Sequence, residues 1–182
     1  MYKHTDIDNY CDKNILFTNR DYKEAKRQVK EHLINLSKNN EKIILLDSFW
    51  SKYKYNRFMN SKYKKQIERK YHIKMSVQDF LKEENILYFM NERKLNIIKV
   101  KSILGYMSAA ELFPVLISKI NDDFKEEQVH ILINDFILDS LTKEEMKTIL
   151  NEINFHNIRL VIMTNKPDIP VELLNNVDII KS

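Results

Sequence analysis

Short, continuously apolar segments alternate along the chain with longer segments of helical periodicity, and this alternation most constrains its fold. Uninterrupted apolar runs of this length are typical of parallel strands buried on both faces, with helices packed against the sheet. The pattern therefore predicts an α/β fold with three layers and a mostly parallel sheet. The predicted strands are residues 14–18, 42–47, 129–134, 159–163 and 177–180.

Helices are predicted between these strands. Residues 22–38 place apolar side chains at helical spacing, and residues 142–155 open with the Thr-Lys-Glu-Glu sequence of a capping box. A third amphipathic helix covers residues 108–121, and Pro114 is expected to kink it or to mark its early boundary. A short helix near residues 171–175 is expected before the last strand.

The middle of the sequence differs from both ends and predicts an insertion. We expect residues 1–50 and 95–182 to form the α/β core, and residues 51–94 to form a basic, mainly helical insertion. The local elements expected there are a helix over 76–84 and a hairpin of residues 86–90 and 96–101 around a turn at 91–94.

Gly105 is the only glycine among the 182 residues. A phosphate-binding P-loop needs two glycines ahead of Lys and Ser or Thr, and a dinucleotide-binding turn needs three. Only residues without a Cβ let the backbone close around a phosphate in this way. Neither motif is present, so we expect no nucleotide cofactor.

Cysteine and histidine usage limits the metal and redox chemistry open to the chain. Cys11 is the only cysteine, which excludes an intrachain disulfide and a Cys-based zinc cluster. The five histidines show no zinc-binding spacing, and His130, inside a predicted strand, is expected to be a core or interface residue. With no apolar segment of signal-peptide or membrane-span type, we expect a cytoplasmic protein that contacts no membrane.

A basic stretch at residues 52–74 is the most informative local feature. It carries nine Lys or Arg against one acid, a net charge of +8, whereas the whole chain has +4 and the remainder therefore −4. Five aromatic residues lie among these cations, a combination typical of nucleic-acid interfaces. A solvated helix with its tyrosines in the core is the alternative. The candidate DNA-binding residues are Lys52, Lys54, Arg57, Lys62, Lys64, Lys65, Arg69, Lys70 and Lys74.

Aspartates follow two predicted strands. Asp47 and Asp135 would lie at the carboxyl edge of a parallel sheet, where α/β proteins form ligand sites. Together with Asp139 they are candidates for a divalent-metal nuclease site, although no D/E-x-K pair follows an alternating strand. In a nucleotide hydrolase, Asp135 would hold magnesium and the pair Thr164-Asn165 would contact the γ-phosphate. The alternative role for these acids is to cap neighbouring helices or loops.

A second acidic group is a candidate calcium site. Carboxylate oxygens suit calcium, but this group lacks a glycine turn and a regular alternation of ligands. A solvated helix end is the other interpretation. The residues are Asp122, Asp123, Glu126 and Glu127.

Two segments resemble the Csn-two family, the spacer-acquisition proteins of type II-A CRISPR systems. The first is Lys101-Ser102-Ile103-Leu104-Gly105-Tyr106, followed by a polar helix start and an apolar helix face. The second is a strand at 129–134 with Asp135-Phe136, a Leu-Thr helix entry at 141–142, and Asn157-Ile158 leading into a further strand at 159–163. Strand, helix entry, helix and strand follow one another in the order found in that family.

The resemblance implies a P-loop-ATPase-like core that has lost its P-loop, and a tetrameric ring that binds double-stranded DNA ends with the support of calcium. It also implies CRISPR integrase proteins and an effector nuclease as partners, and neither nuclease nor ATPase activity. Only residues 122–128 fill the gap where family members carry a long helical insertion, so the family's calcium sites are not carried over. Residues 50–100 are longer than the family pattern, and the basic stretch lies there.

The main hypothesis is therefore a non-enzymatic DNA-binding ring protein of CRISPR adaptation. A magnesium-dependent nuclease that uses Asp47 and Asp135 is the second hypothesis. A protein-interaction scaffold, whose lysines only keep it in solution, is the third.

Overall fold

The computed structural model describes residues 13–18, 21–39, 41–47, 74–76, 82, 95–99, 109–124, 127–134, 138–164 and 169–181. The strands are β1 (Ile15–Thr18), β2 (Lys42–Asp47), β3 (Lys74–Ser76), β4 (Leu95–Lys99), β5 (Val129–Asn134), β6 (Ile158–Thr164) and β7 (Asp178–Lys181). The helices are α1 (Tyr22–Lys38), α2 (Ala109–Asp123), α3 (Lys143–Phe155) and α4 (Val171–Leu174). Within these residues, no helix has the length and hydropathy needed to cross a membrane.

The seven strands form one sheet in the order β3-β4-β2-β5-β6-β1-β7, and every pair of neighbours is parallel. The register aligns Ile15 of β1 with Val161 of β6, and Ile44 of β2 with Ile131 of β5. These central residues are almost completely buried, as expected for strands covered on both faces. The predicted α/β class and parallel sheet are confirmed.

Helices cover both faces of the sheet and give it three layers. Side chains alternate between the faces, so Ile15 and Phe17 of β1 pack against α1 while Leu16 packs against the opposite layer. That opposite layer contains α2 and α3, which contact each other. Full burial of one such aliphatic or aromatic side chain stabilises the fold by about 1.5–3 kcal/mol.

Local sequence and packing together determine where helices α2 and α3 begin and end. Pro114 lies inside α2 and does not mark its boundary, because the buried side chains on both sides of it hold the helix against the sheet. Helix α3 begins with the predicted capping box. The Thr142 hydroxyl accepts the Glu145 backbone N–H at 3.2 Å, and the Glu145 carboxylate accepts the Thr142 N–H at 2.7 Å. These hydrogen bonds lower the pKa of Glu145.

The segment predicted as an insertion differs from expectation where it meets the sheet. Residues 74–76 form β3, so part of the predicted helical segment belongs to the sheet. Ser76 therefore ends a strand instead of starting a helix. Lys82 is helical as predicted. The hairpin is wrong for β4, which pairs in parallel with β2 and β3. Residues 86–90 lie outside the described part, as does Gly105.

Asn14 joins four elements at the amino edge of the sheet. Its side-chain oxygen accepts the Leu160 N–H at 2.8 Å, and its amide nitrogen donates to the Asn154 side chain at 3.4 Å and to the Asn176 carbonyl at 3.3 Å. Asn14 is 6% exposed. Because both hydrogens of its amide group and its oxygen are engaged, this residue stabilises the approach of β1 to α3, β6 and the turn before β7.

Candidate functional site

Every strand of the sheet ends on a polar residue, and these ends lie at one edge because all strands are parallel. The carboxyl edge of an open α/β sheet is where such folds bind ligands. We define this carboxyl-edge row by the last residue of each strand: Thr18, Asp47, Ser76, Lys99, Asn134, Thr164 and Lys181.

A topological switch point lies between β1 and β6. From β1 the chain crosses to β2 on one side, with α1 packed over β1, β6 and β2, whereas from β6 it passes to β7 on the other side. Thr18 and Thr164 are paired in register where these two connections leave the sheet, and Thr164 is 1% exposed. Crevices at such points are the usual ligand sites of doubly wound sheets.

The connection between β1 and α1 is too short for a P-loop. Only residues 19–21 separate Thr18 from Tyr22, whereas the motif places six residues from its first to its second glycine before the helix. None of the three is glycine. The connection therefore has fewer residues than a P-loop and contains no glycine.

Asp21 already occupies the start of α1. Its carboxylate accepts the Lys23 N–H at 2.9 Å, and its carbonyl oxygen accepts the N–H groups of Glu24 and Ala25 at 3.0 and 3.2 Å. The Lys23 N–H is one of the donors that a P-loop helix would direct at phosphate, and here the Asp21 carboxylate accepts it. The negative charge of Asp21 also disfavours an anion at this helix end.

Among the described residues, Lys23 is the basic residue nearest this helix end, and Arg27 follows it one turn later. Acidic side chains bind the Arg27 guanidinium. Arg27 donates to both carboxylate oxygens of Glu24, at 2.9 and 2.5 Å, and also bonds Glu31. The hydrogen bond from Arg27 lowers the pKa of Glu24, and the pKa of Arg27 is raised chiefly by its bond to Glu24. Arg27 is thus engaged in ion pairs with two glutamates on the surface of α1.

The structure describes one of the nine candidate DNA-binding residues. Lys74 is the first residue of β3, the edge strand of the sheet; Lys52, Lys54, Arg57, Lys62, Lys64, Lys65, Arg69 and Lys70 lie outside the described residues. Asp47, the last residue of β2, precedes this stretch in sequence.

The aspartates of the nuclease hypothesis are only partly described. Asp47 is the last residue of β2 and pairs in register with Lys99 of β4. Asp135 lies outside the described residues, and Asp139 is exposed just before α3. Among the described side chains, no group of three or more His, Cys, Asp or Glu is placed to hold a metal ion.

The acidic group after α2 is divided by the structure. Asp122 is exposed and Asp123 ends α2, whereas Glu126 lies outside the described part. Glu127 forms an ion pair with the Lys42 ammonium at 2.9 Å, and this ammonium also lies 5.5 Å from the centre of the Phe124 ring. Lys42 is almost fully buried, so Glu127 has the structural role of compensating its charge.

Sequence reasoning did not assign Asp21, Ser76 or Lys99 to the candidate site. Asp21 had a detectable signal, because an aspartate directly before an amphipathic helix is a favoured N-cap. Lys99 and Ser76 had none, since their place on the carboxyl edge depends on the strand order of the sheet.

Comparison with known proteins supports the fold and leaves the family open. No protein-family model and no curated protein matches the chain. Among solved structures, it is similar to the genome packaging NTPase B204 of Sulfolobus turreted icosahedral virus 2, in complex with AMP. The TM-score is 0.53 at 13% sequence identity, over 94% of this chain and 75% of that one. The chain therefore has the α/β fold of an NTPase core.

Proposed function

We propose that this chain is a non-enzymatic protein that binds double-stranded DNA on an NTPase-like core without a phosphate-binding loop. The observation that carries the proposal is the β1–α1 connection. It has three residues, no glycine, and an aspartate bonded to the helix start. Phosphoryl transfer depends on positioning a triphosphate and its metal ion, and this connection offers no such cradle.

The charge distribution supports DNA as the ligand. The net charge of +8 in residues 52–74 contrasts with −4 in the rest of the chain. Lysine and arginine bind the phosphates of DNA without reading its sequence, with the release of counterions. Lys74, the last residue of this stretch, is the first residue of β3. Residues 52–73 lie outside the described part of the chain.

The finer role that we propose is CRISPR spacer acquisition, as a tetrameric ring that encloses DNA ends. It rests on the resemblance to the Csn-two family at residues 101–106 and 129–163. The order β5, α3 and β6 in the fold is the arrangement that this resemblance requires. Calcium, integrase proteins and an effector nuclease are partners proposed on the same basis, and the cytoplasm is the proposed location.

A ring that threads onto DNA requires free ends. We expect tight binding of a linear duplex and at least about tenfold weaker binding of the same sequence as a covalently closed circle. With six or more phosphates neutralised, affinity for the linear duplex should fall about 10³-fold or more between 50 and 200 mM salt. Gel-shift titration measures both effects. Equal affinity for linear and closed DNA contradicts threading, and a flat salt dependence contradicts phosphate contacts.

The magnesium-dependent nuclease is the second candidate because Asp47 and Asn134 end two adjacent strands, β2 and β5. Asp135 directly follows Asn134 in sequence. Incubation with labelled linear DNA, magnesium and ATP separates the two proposals. We expect intact DNA and unhydrolysed ATP. DNA cleavage that is lost in Asp135→Ala and in Asp47→Ala would instead establish the nuclease.

A further inference from the structure

Two buried histidines lie between α1 and the sheet. His32 of α1 and His130 of β5 are both 0% exposed. Their rings meet edge to face at 6.3 Å between centroids, and the His32 ring also lies 5.6 Å from that of Phe17. Within the part of the chain that the structure describes, none of their four ring nitrogens has a hydrogen-bond partner. Buried polar groups are so rarely unpaired that this pair requires an explanation.

The surroundings of the two rings differ in charge. The Glu41 carboxylate lies 3.7 Å from His130 Nε2, and Arg159 is the register partner of His130 on β6. The other buried side chains that the structure describes on this face of β1, β2, β5 and β6 are apolar: Ile15, Phe17, Ile43, Leu45, Leu132, Val161 and Met163. By strand alternation, Asp47 of β2 and Asn134 of β5 belong to the same face, at its carboxyl edge. His130 therefore has a carboxylate nearby, whereas no ion pair of His32 is found among the described residues.

We propose that His32 and His130 form an acid-sensitive latch, in which protonation of His32 releases α1 from its face of the sheet. A charge on His32 has no counter-ion in its described surroundings and lies next to a second ring that can also become positive. Burying such a charge is far more costly than exposing it, so the protonated state favours an open arrangement with α1 in water. The opposite face, with α2 and α3, contains no buried histidine among the described residues and stays packed.

The direction of the pH dependence follows from the two states of His32. Burial, and secondarily the charge of His130, lowers the pKa of His32 to about 3, whereas an exposed imidazole has the ordinary value of 6.5. The open state therefore binds a proton, and the packed state does not, between these two values. Packing of α1 is at full strength above pH 6.5 and weakens as the pH falls toward 3.

Hydrogen–deuterium exchange of the full chain tests the latch. After correction for the intrinsic pH dependence of amide exchange, the opening equilibrium of α1 should rise about 25-fold between pH 7 and pH 5. The amides of α3 should change much less. Unchanged protection of α1, or an equal loss of protection in α1 and α3, overturns the proposal.

Two variants that cannot titrate complete the test. His32→Leu fills the apolar site, and His32→Gln keeps a neutral polar group of similar reach should the leucine variant fail to fold. Either should leave the protection of α1 nearly constant from pH 7 to pH 5. The matched control is His156→Gln, since His156 is only partly buried and bonded to Asn121, and this variant should keep the wild-type pH response. A 25-fold rise that persists without an imidazole at position 32 would contradict the latch.

Discussion

Replacement of Lys62, Lys64, Lys65 and Lys70 by glutamate is expected to lower the affinity for a linear DNA duplex by about 10³-fold at 150 mM salt. Each phosphate contact contributes about 0.9 to the slope of log affinity against log salt, so four lost contacts remove roughly three decades at this ionic strength. The slope itself should fall by about 3.6. Fluorescence anisotropy titration across a series of salt concentrations measures both values.

The matched control changes net charge by the same amount elsewhere. Lys23 and Lys38 of α1 and Lys143 and Lys147 of α3 are all exposed, and their replacement by glutamate also changes the charge by eight units. Binding through the basic stretch predicts a much smaller loss in this control. Equal losses in both variants would mean that DNA responds only to overall charge, and unchanged affinity in the first variant would exclude residues 52–74 from the interface.

The core of the fold was readable from sequence because its signals are local. A strand such as β5 is a continuous apolar run, and α3 begins with a capping box whose residues are three positions apart. The apolar spacing of residues 22–38 gave the bounds of α1 as the structure has them. Burial on both faces of a parallel sheet produces such runs directly, so pattern and structure agree there.

The pairing of strands β3 and β4, at one edge of the sheet, could not be predicted because it has no local signal in the sequence. Strand β3 has three residues and begins with Lys74 at the end of a highly charged stretch, so it lacks any apolar run. The predicted hairpin joined residues 96–101 to residues 86–90, whereas β4 has register partners in β2, some fifty residues earlier. Long-range pairing of this kind is decided by the whole sheet and leaves no local pattern.

The edge of the sheet that carries the candidate site could be predicted from the sequence, but the set of side chains at that edge could not. Strand-end aspartates correctly directed attention to the carboxyl edge, where Asp47 lies. The sequence lacks the glycines of a P-loop, and the β1–α1 connection has three residues. Asp21 was open to prediction as an N-cap because it directly precedes an amphipathic helix, and its hydrogen bond from the Lys23 N–H agrees with that role.

Asn14 offers the largest expected effect on stability, because its buried side chain makes three hydrogen bonds. Asn14→Leu leaves the buried Leu160 N–H without its acceptor, at 2.8 Å in the native fold, and removes two donated hydrogen bonds. An orphaned buried donor costs about 1–3 kcal/mol and each lost bond about 1 kcal/mol, so unfolding should become easier by about 3 kcal/mol. Urea denaturation followed by circular dichroism measures the loss.

The matched control for this prediction removes an exposed hydrogen-bond partner of Asn14. Asn154 is exposed and accepts only the longest of the three hydrogen bonds, so Asn154→Ala should lower the free energy of unfolding by less than about 1 kcal/mol. If the two variants lose equal stability, the buried bond to Leu160 is not the dominant contribution. If Asn14→Leu is as stable as the natural chain, apolar packing at the amino edge replaces the hydrogen bonds, and Asn14 does not hold β1 to β6.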